Sequence, residues 1–562
     1  MISLLRLLAW SVAAGLVTLA PSTFAPSQGP PVSNQSQDKH NPVVKAPAGA
    51  VKGQIEDNLR VFKGIPFALP PVGERRWKAP SPMPPWTGVR KATEYGAACW
   101  QPKPTLSTIY TRNPMPMSED CLTLNIWAPV DANNAPVFFW IYGGALVGGA
   151  SREETYDGAR LAARGLIVVS INYRLGVLGW LAHPELSKES PLRISGNYGL
   201  QDQIEALRWV QRNIRAFGGD PSNVTIAGES AGALSVMYLM AAPSARGLFA
   251  KAIAESAYMI STPELRKASF GSPSAEESGV KLAAALHAPD ITAMRAMEAE
   301  KLILAAPATG YAPWGTVDGS VMLHQLVDVF DKGEQAPVPV LAGFNSGEIR
   351  SLRILAPQPS ANVGAYEATI RDRYGDLADK FLRLYPSINM NESVLATTRD
   401  ALYGWTAQRL VRKQTALGQP SFLYFWDHGY PAADAAGLHG FHASELPYVF
   451  GTFDGTPPLW PKIPPTAQEK SLSDAMIGYW TSFARTGKPQ VANAPDWPAF
   501  GTAGSYMAFE EVPKPSDHLL PGMYEFIEET VCRRRASGDI AWNWNVGLYS
   551  PKLPGQQAQC KQ

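Results

Sequence analysis

The chain keeps switching between two kinds of apolar pattern, and that alternation restricts its fold more than any other feature. Continuous runs rich in β-branched and aromatic residues occur at 137–142, 166–171, 224–227, 338–342, 422–426 and 506–509. A run with no polar alternate suits a strand covered on both faces. Stretches of helical spacing lie between them. Ile204, Leu207, Val210 and Ile214 form one stripe of a helix expected over 200–217, which Gly218-Gly219-Asp220-Pro221 ends. A second helix is expected over 231–240, and a hairpin over 49–68. Strands alternating with helices predict an α/β fold, with a large, mostly parallel central sheet flanked by helices. The helix-rich segments 262–309 and 361–418 are expected as insertions above the strand ends, where such sheets bind ligands.

Composition narrows the partners. Fifty Lys and Arg against 49 Asp and Glu leave a net charge of +1, which provides no strong field for nucleic acid or another polyanion. The 562 residues are 45% hydrophobic, enough for one large α/β domain with a sizeable core. No fixed-period repeat, heptad run or Cys/His metal cluster is present.

The first 25 residues read as a signal peptide: Arg6 precedes an apolar stretch from Leu7 to Ala20. That stretch is shorter than the roughly 20 residues of a spanning helix, so an uncleaved anchor is the lesser alternative. Residues 26–42, rich in Pro, Gln and Ser, read as a disordered linker, and 43–562 as a single domain. The expected location is secreted or periplasmic, with no membrane contact beyond the export signal. Four cysteines follow, Cys99, Cys121, Cys532 and Cys560. An even count after an export signal favours two disulfides, and three pairings are possible. Nearest-neighbour pairing closes two short loops and is the expected one. Asn34, Asn223 and Asn391 begin N-x-S/T triplets that carry no weight alone.

One short stretch carries the chemistry. "GESAG", residues 228–232, lies between an expected strand and an expected helix, which is the setting of a G-x-S-x-G nucleophile elbow. The glycines permit a tight turn, and the helix N-terminus faces developing negative charge. A serine hydroxyl is a weak nucleophile, so it needs a base, an orienting carboxylate and N–H donors for an oxyanion. The turn "YGGA", residues 142–145, directly after an expected strand, offers such donors.

With these pieces in place, the chain resembles the type-B carboxylesterases of the α/β-hydrolase fold, the group of cholinesterases and bacterial para-nitrobenzyl esterases. The matching stretches run from about residue 49 to 530. They include "VFKGIPFALPPVGERRW", "SEDCLTLNIW", "WIYGGALVGG", "INYRLGVLGW", "GFNSGE" and "FHASELPYVFG". The resemblance implies a serine esterase acting on small-molecule esters without metal or cofactor. It assigns Ser230 as nucleophile, Glu348 as triad acid and His442 as base. Gly144, Ala145 and Ala231 would supply the oxyanion hole. Glu229 and Ser256 would support the site from behind. Cys99 and Cys121 match the family's first disulfide, whose loop carries Trp100 and Tyr110 toward the gorge.

The chain departs from the pattern at four places. Tyr142 stands where His is usual, Ala145 where a third Gly is usual, Ala443 where Gly follows the catalytic His, and Gly347 where an acid is common. His439 and Asp318 are the competing His and Asp, and read as a surface-loop residue and a turn aspartate. Arg350 and Arg353 follow Glu348 and read as solvated arginines. Tyr258, Tyr311, Trp314, Trp405 and Trp180 are candidates for an aromatic pocket. A non-catalytic binding protein on the same fold is the alternative, opposed by the presence of all three triad residues. A dinucleotide-binding oxidoreductase would need a G-x-G-x-x-G unit that is not found. Medium-size or aromatic esters are the expected substrates; oligomeric state is not readable.

Overall fold

In the computed structural model, residues 41–543 and 546–560 are described. The expected signal peptide and nearly all of the expected linker lie outside them. Eleven strands form one sheet: β1 (Gln54–Glu56), β2 (Leu59–Pro66), β3 (Thr123–Pro129), β4 (Ala135–Ile141), β5 (Ile167–Ile171), β6 (Gly219–Glu229), β7 (Lys251–Glu255), β8 (Val340–Asn345), β9 (Ser421–Trp426), β10 (Ser505–Phe509) and β11 (Pro513–Asp517). Their spatial order is β11-β10-β9-β8-β7-β6-β4-β5-β3-β2-β1. The strands from β5 to β10 in that order pair in parallel, and the pairs at both margins are antiparallel.

All the parallel strands except β7 are those that read as continuous apolar runs, and helices cover both of their faces. Helix α1 (Tyr198–Asn213) buries the stripe Ile204, Leu207 and Val210; its last expected turn, Ile214–Phe217, tightens to 3-10 before Gly218 at φ 90. Helix α2 (Ala231–Ala241) is buried on every side, so it runs as an apolar rod through the core. Three of the eleven strands were not expected, β3, β7 and β11. β6 is also longer than its apolar run, because Gly219 pairs with Ala135 before the register shifts to Val224 opposite Val137.

In the 361–418 insertion, α3 (Met390–Arg399) runs into a π turn over Asp400–Gly404 and then into α4 (Trp405–Ala416). Helix α5 (Ala467–Thr486) covers the other face of the sheet and begins with the Thr466 side chain capping Glu469 N–H. Cys99 is joined to Cys121 and Cys532 to Cys560, with S–S distances of 2.03 and 1.99 Å. Among the described residues, no helix is long and apolar enough to cross a membrane.

Candidate active site

β6 ends at Glu229 and α2 begins at Ala231, so Ser230 stands alone in the turn at φ 55, ψ −120. A β-carbon residue held there is strained, and strain of this kind persists only where the surroundings impose it. The Ser230 N–H donates to Glu255 O (2.9 Å), and the Leu234 N–H donates to Ser230 O (2.9 Å). The two flanking glycines have separate reasons. A Cβ on Gly228 would lie 2.5 Å from Gly232 C, and one on Gly232 would lie 2.1 Å from Ile141 O. The first turn of α2 is therefore pressed against the end of β4. Gly232→Ala is expected to cost about 3 kcal/mol through overpacking, read by urea unfolding. It should also lower kcat about 100-fold by displacing Ser230. Wild-type stability and rate would refute that close approach.

The turn after β4 lies beside the serine. A Cβ on Gly143 would come within 2.7 Å of Glu229 O and 3.1 Å of Ser230 Cβ. Gly144, Ala145 and Leu146 follow at φ 105, 56 and 60, so two non-glycine residues are held left-handed in succession. The N–H groups of Gly144, Ala145 and Ala231 donate to no other group among the described residues. Tyr142 braces this turn from below. Its ring stacks on Tyr173 at 4.6 Å, and the Tyr173 hydroxyl donates to Tyr142 O at 2.9 Å.

Glu348 and His442 come from the loops after β8 and β9. His442 Nδ1 lies 2.5 Å from Glu348 Oε2. The other oxygen of Glu348 accepts from the Ser256 hydroxyl (2.6 Å) and the Asn345 N–H (2.9 Å). The carboxylate is thus held by three donors in a site with no solvent exposure. The two loops are joined by the Gly347 N–H donating to Gly440 O (2.8 Å) and by Asn345 Nδ2 donating to Phe441 O (2.8 Å). A Cβ on Gly347 would lie 2.6 Å from Leu438 O, so an acidic side chain does not fit there. Ala443 keeps φ 66, the conformation a glycine would favour.

The other face of the imidazole meets a second carboxylate: Nε2 lies 3.0 Å from Glu229 Oε1. Ser230 Oγ has no hydrogen-bond partner among the described residues. Burial opposes a charge on His442, but Glu229 and Glu348 outweigh it and raise the ring above the ordinary histidine range. Burial raises Glu229, with Glu348 adding to the rise and His442 opposing it. Burial likewise raises Glu255 and Glu445, and the neighbouring Glu229 adds to both. Glu445 is tied to the site through Asn345 Nδ2, 2.5 Å from its Oε2.

The chain has known relatives. The carboxylesterase family model matches residues 40–527. The fumonisin B1 esterase of Sphingopyxis macrogoltabida is 35% identical over 525 residues, covering 89% of this chain and 92% of its own. The para-nitrobenzyl esterase of Bacillus subtilis (strain 168) is 37% identical over 475 residues, covering 82% and 92%. A solved para-nitrobenzyl esterase structure superposes with a TM-score of 0.74 at 32% identity, covering 86% of this chain and 99% of that one. The chain belongs to the carboxylesterase family. It is a carboxylic ester hydrolase with an α/β-hydrolase fold.

Around the candidate site of this carboxylesterase the aromatic candidates separate. Tyr258 meets Trp314 edge-on at 6.5 Å and Tyr403 at 6.1 Å, and Tyr403 lies 5.3 Å from the His442 ring. Trp405, Trp180 and Tyr311 belong to the buried core: Trp405 packs on Trp542, and Trp180 on Tyr238. The Cys99–Cys121 loop brings Tyr110 to the site, where its hydroxyl donates to His442 O at 2.9 Å and meets Ser351 Oγ at 2.7 Å. Trp100 packs instead against a separate buried cluster that includes Leu181, Leu282 and Leu302. Asp318 spends its carboxylate on its own turn, accepting from the Ser320 and Val321 N–H groups, and on Asn197. Arg350 pairs with Glu392, and Arg353 donates to Pro357 O. Tyr403 and Glu445 had no sequence signal as site residues. Tyr403 reaches His442 from the π turn, and π turns are frequent at functional sites.

Proposed function

We propose that this carboxylesterase works through Ser230, His442 and Glu348 and an acyl-enzyme intermediate. The observation that carries the reading is Ser230 in a strained strand-to-helix turn, beside a buried His442–Glu348 pair. His442 Nε2 takes the Ser230 proton as Oγ attacks the ester carbonyl, exchanging its contact with Glu229 for one with the serine. Glu348 fixes the ring through Nδ1 and stabilises the imidazolium. The unpaired N–H groups of Gly144, Ala145 and Ala231 receive the oxyanion. His442 then protonates the leaving alcohol, and water activated by the same ring releases the acid.

The aromatic series Tyr110, Tyr403, Tyr258 and Trp314 supports medium-size or aromatic esters as substrates. The relatives' printed activities, on para-nitrobenzyl and fumonisin B1 esters, are compatible with that range. Export is supported by the signal-like first 25 residues and by two disulfides. A single catalytic domain over residues 43–562 is supported by one continuous sheet. Fluorophosphonate labelling with peptide mapping tests the reading. Label on Ser230, lost in Ser230→Ala, is expected; folded protein that takes no label would sink it and favour a binding role.

Glu229 gives a pH prediction. The base acts when neutral, so its raised titration moves the acid limb of kcat/KM upward in pH. Glu229→Gln removes a negative charge 3.0 Å from Nε2, and the limb should move to lower pH. An unmoved limb would mean that Glu229 is neutral in the free enzyme.

A further inference from the structure

The turn carrying His442 is held on a second side that the mechanism does not use. Three residues upstream, His439 Nδ1 lies 2.7 Å from Asp434 Oδ1, and its Nε2 lies 3.2 Å from Asp427 Oδ1. Asp427 directly follows β9, and Asp434 lies on the short helix Pro431–Ala435. One ring therefore ties a strand end and a helix to the turn that presents His442. The backbone there needs holding, since His439 and Ala443 sit at φ 49 and 66. Gly429 leaves the space for this arrangement. A Cβ on it would lie 2.2 Å from His439 Nδ1 and 2.3 Å from Asp434 Oδ1.

The His439 side chain is 43% exposed and its two partners 40% and 51%, so this ring exchanges protons with solvent. Imidazole donates to two carboxylates only as the cation, when both nitrogens carry hydrogen. The bond to Asp427 favours that cation, partial burial opposes it and Asp434 adds to it, pushing the ring up to about 9. Arg399 also acts on the cluster, through Asp427; it is paired with Asp400 at 2.7 Å, and its Nη1 donates to Ser346 O at 3.1 Å. A half-exposed ion pair adds little to global stability, so its effect is to be sought in geometry.

We propose that His439 is a positioning residue, whose doubly bonded cation between Asp427 and Asp434 fixes the turn presenting His442 and whose deprotonation sets the enzyme's alkaline limit. The sign follows from donor count. Below about pH 9 both carboxylates are bonded. Above it the neutral ring keeps one N–H, one bond is lost, and the turn loosens. This rests on His442 being the base, as proposed above.

The test compares the full-length enzyme with His439→Gln and Gly429→Ala. The second variant forces the cluster apart while leaving every ionisable group in place. Amide exchange is followed at Phe441 and Ser444, whose N–H groups donate to His439 O (2.9 Å) and Phe441 O (3.0 Å), together with kcat and KM against pH. In both variants exchange is expected to be about tenfold faster and kcat at pH 8 about tenfold lower, with KM unchanged. The alkaline fall of the wild type should vanish in His439→Gln. Unchanged exchange in both variants overturns the clamp, whatever the activity. Faster exchange with unchanged kcat overturns its role in positioning. His442→Ala is the control: activity retained there would overturn the assignment of the base instead.

Discussion

Ser230→Ala is expected to lower kcat by about 10⁵-fold, with the fold intact. Alanine keeps the Cβ, so the left-handed turn at φ 55 is no more strained than with serine. The Ser230 hydroxyl has no hydrogen-bond partner among the described residues, so its removal leaves no polar group orphaned. What disappears is the atom proposed to attack. The remaining acceleration over water comes from the N–H groups and from substrate binding, on the order of 10³-fold. His442→Ala should cost about as much, and the double variant no more than either single one, because the residues act as one unit. Steady-state kinetics on an aryl ester, with burst measurements for the acyl-enzyme, check both. Activity above about one hundredth of wild type in Ser230→Ala would require another nucleophile.

Glu348→Gln is expected to lower kcat by about 10⁴-fold, and the reason is the tautomer rather than the shape. Gln fills the same space. Its carbonyl oxygen can still accept from Ser256 Oγ and Asn345 N–H, which now bond Oε1 at 2.6 and 2.9 Å. The amide NH2 then replaces Oε2 opposite His442 Nδ1 and becomes a donor facing a donor. The ring relieves the clash by moving its proton to Nε2, where it can no longer take one from Ser230. Stability should fall much less than activity, because the remaining bonds survive. Raising the pH should not restore the rate, since a neutral ring in the wrong tautomer stays wrong. A loss smaller than tenfold would show that Glu348 does not set the tautomer.

Much of this molecule was legible along the chain, for definite reasons. Most of the parallel strands announced themselves because a strand covered on both faces is largely apolar, as in 137–142 and 224–227. The turn around Ser230 was legible because two glycines are needed where a Cβ would strike Gly232 or Ile141 backbone. Strands β3 and β7 escaped because polar residues such as Asn125 and Glu255 interrupt or end their brief apolar runs, and β11 because Pro513–Asp517 has no apolar run at all. The aromatic candidates could be named but not sorted, since Trp405 in the core and Tyr258 near the site look alike in sequence.

Local sequence thus determined most of the parallel sheet, the serine turn and, through several ordered motifs, the family. Tertiary structure alone decided what surrounds His442. Its ring meets Glu229 and Glu348, which are 213 and 94 residues away, while Tyr403 reaches it from a π turn and Asp427 and Asp434 hold its loop. The contacts with Glu229, Glu348 and Tyr403 are set by where strand ends and loops converge in space, and no short window of sequence contains both partners; Asp434 is only five residues from His439, but the fold decides that they meet.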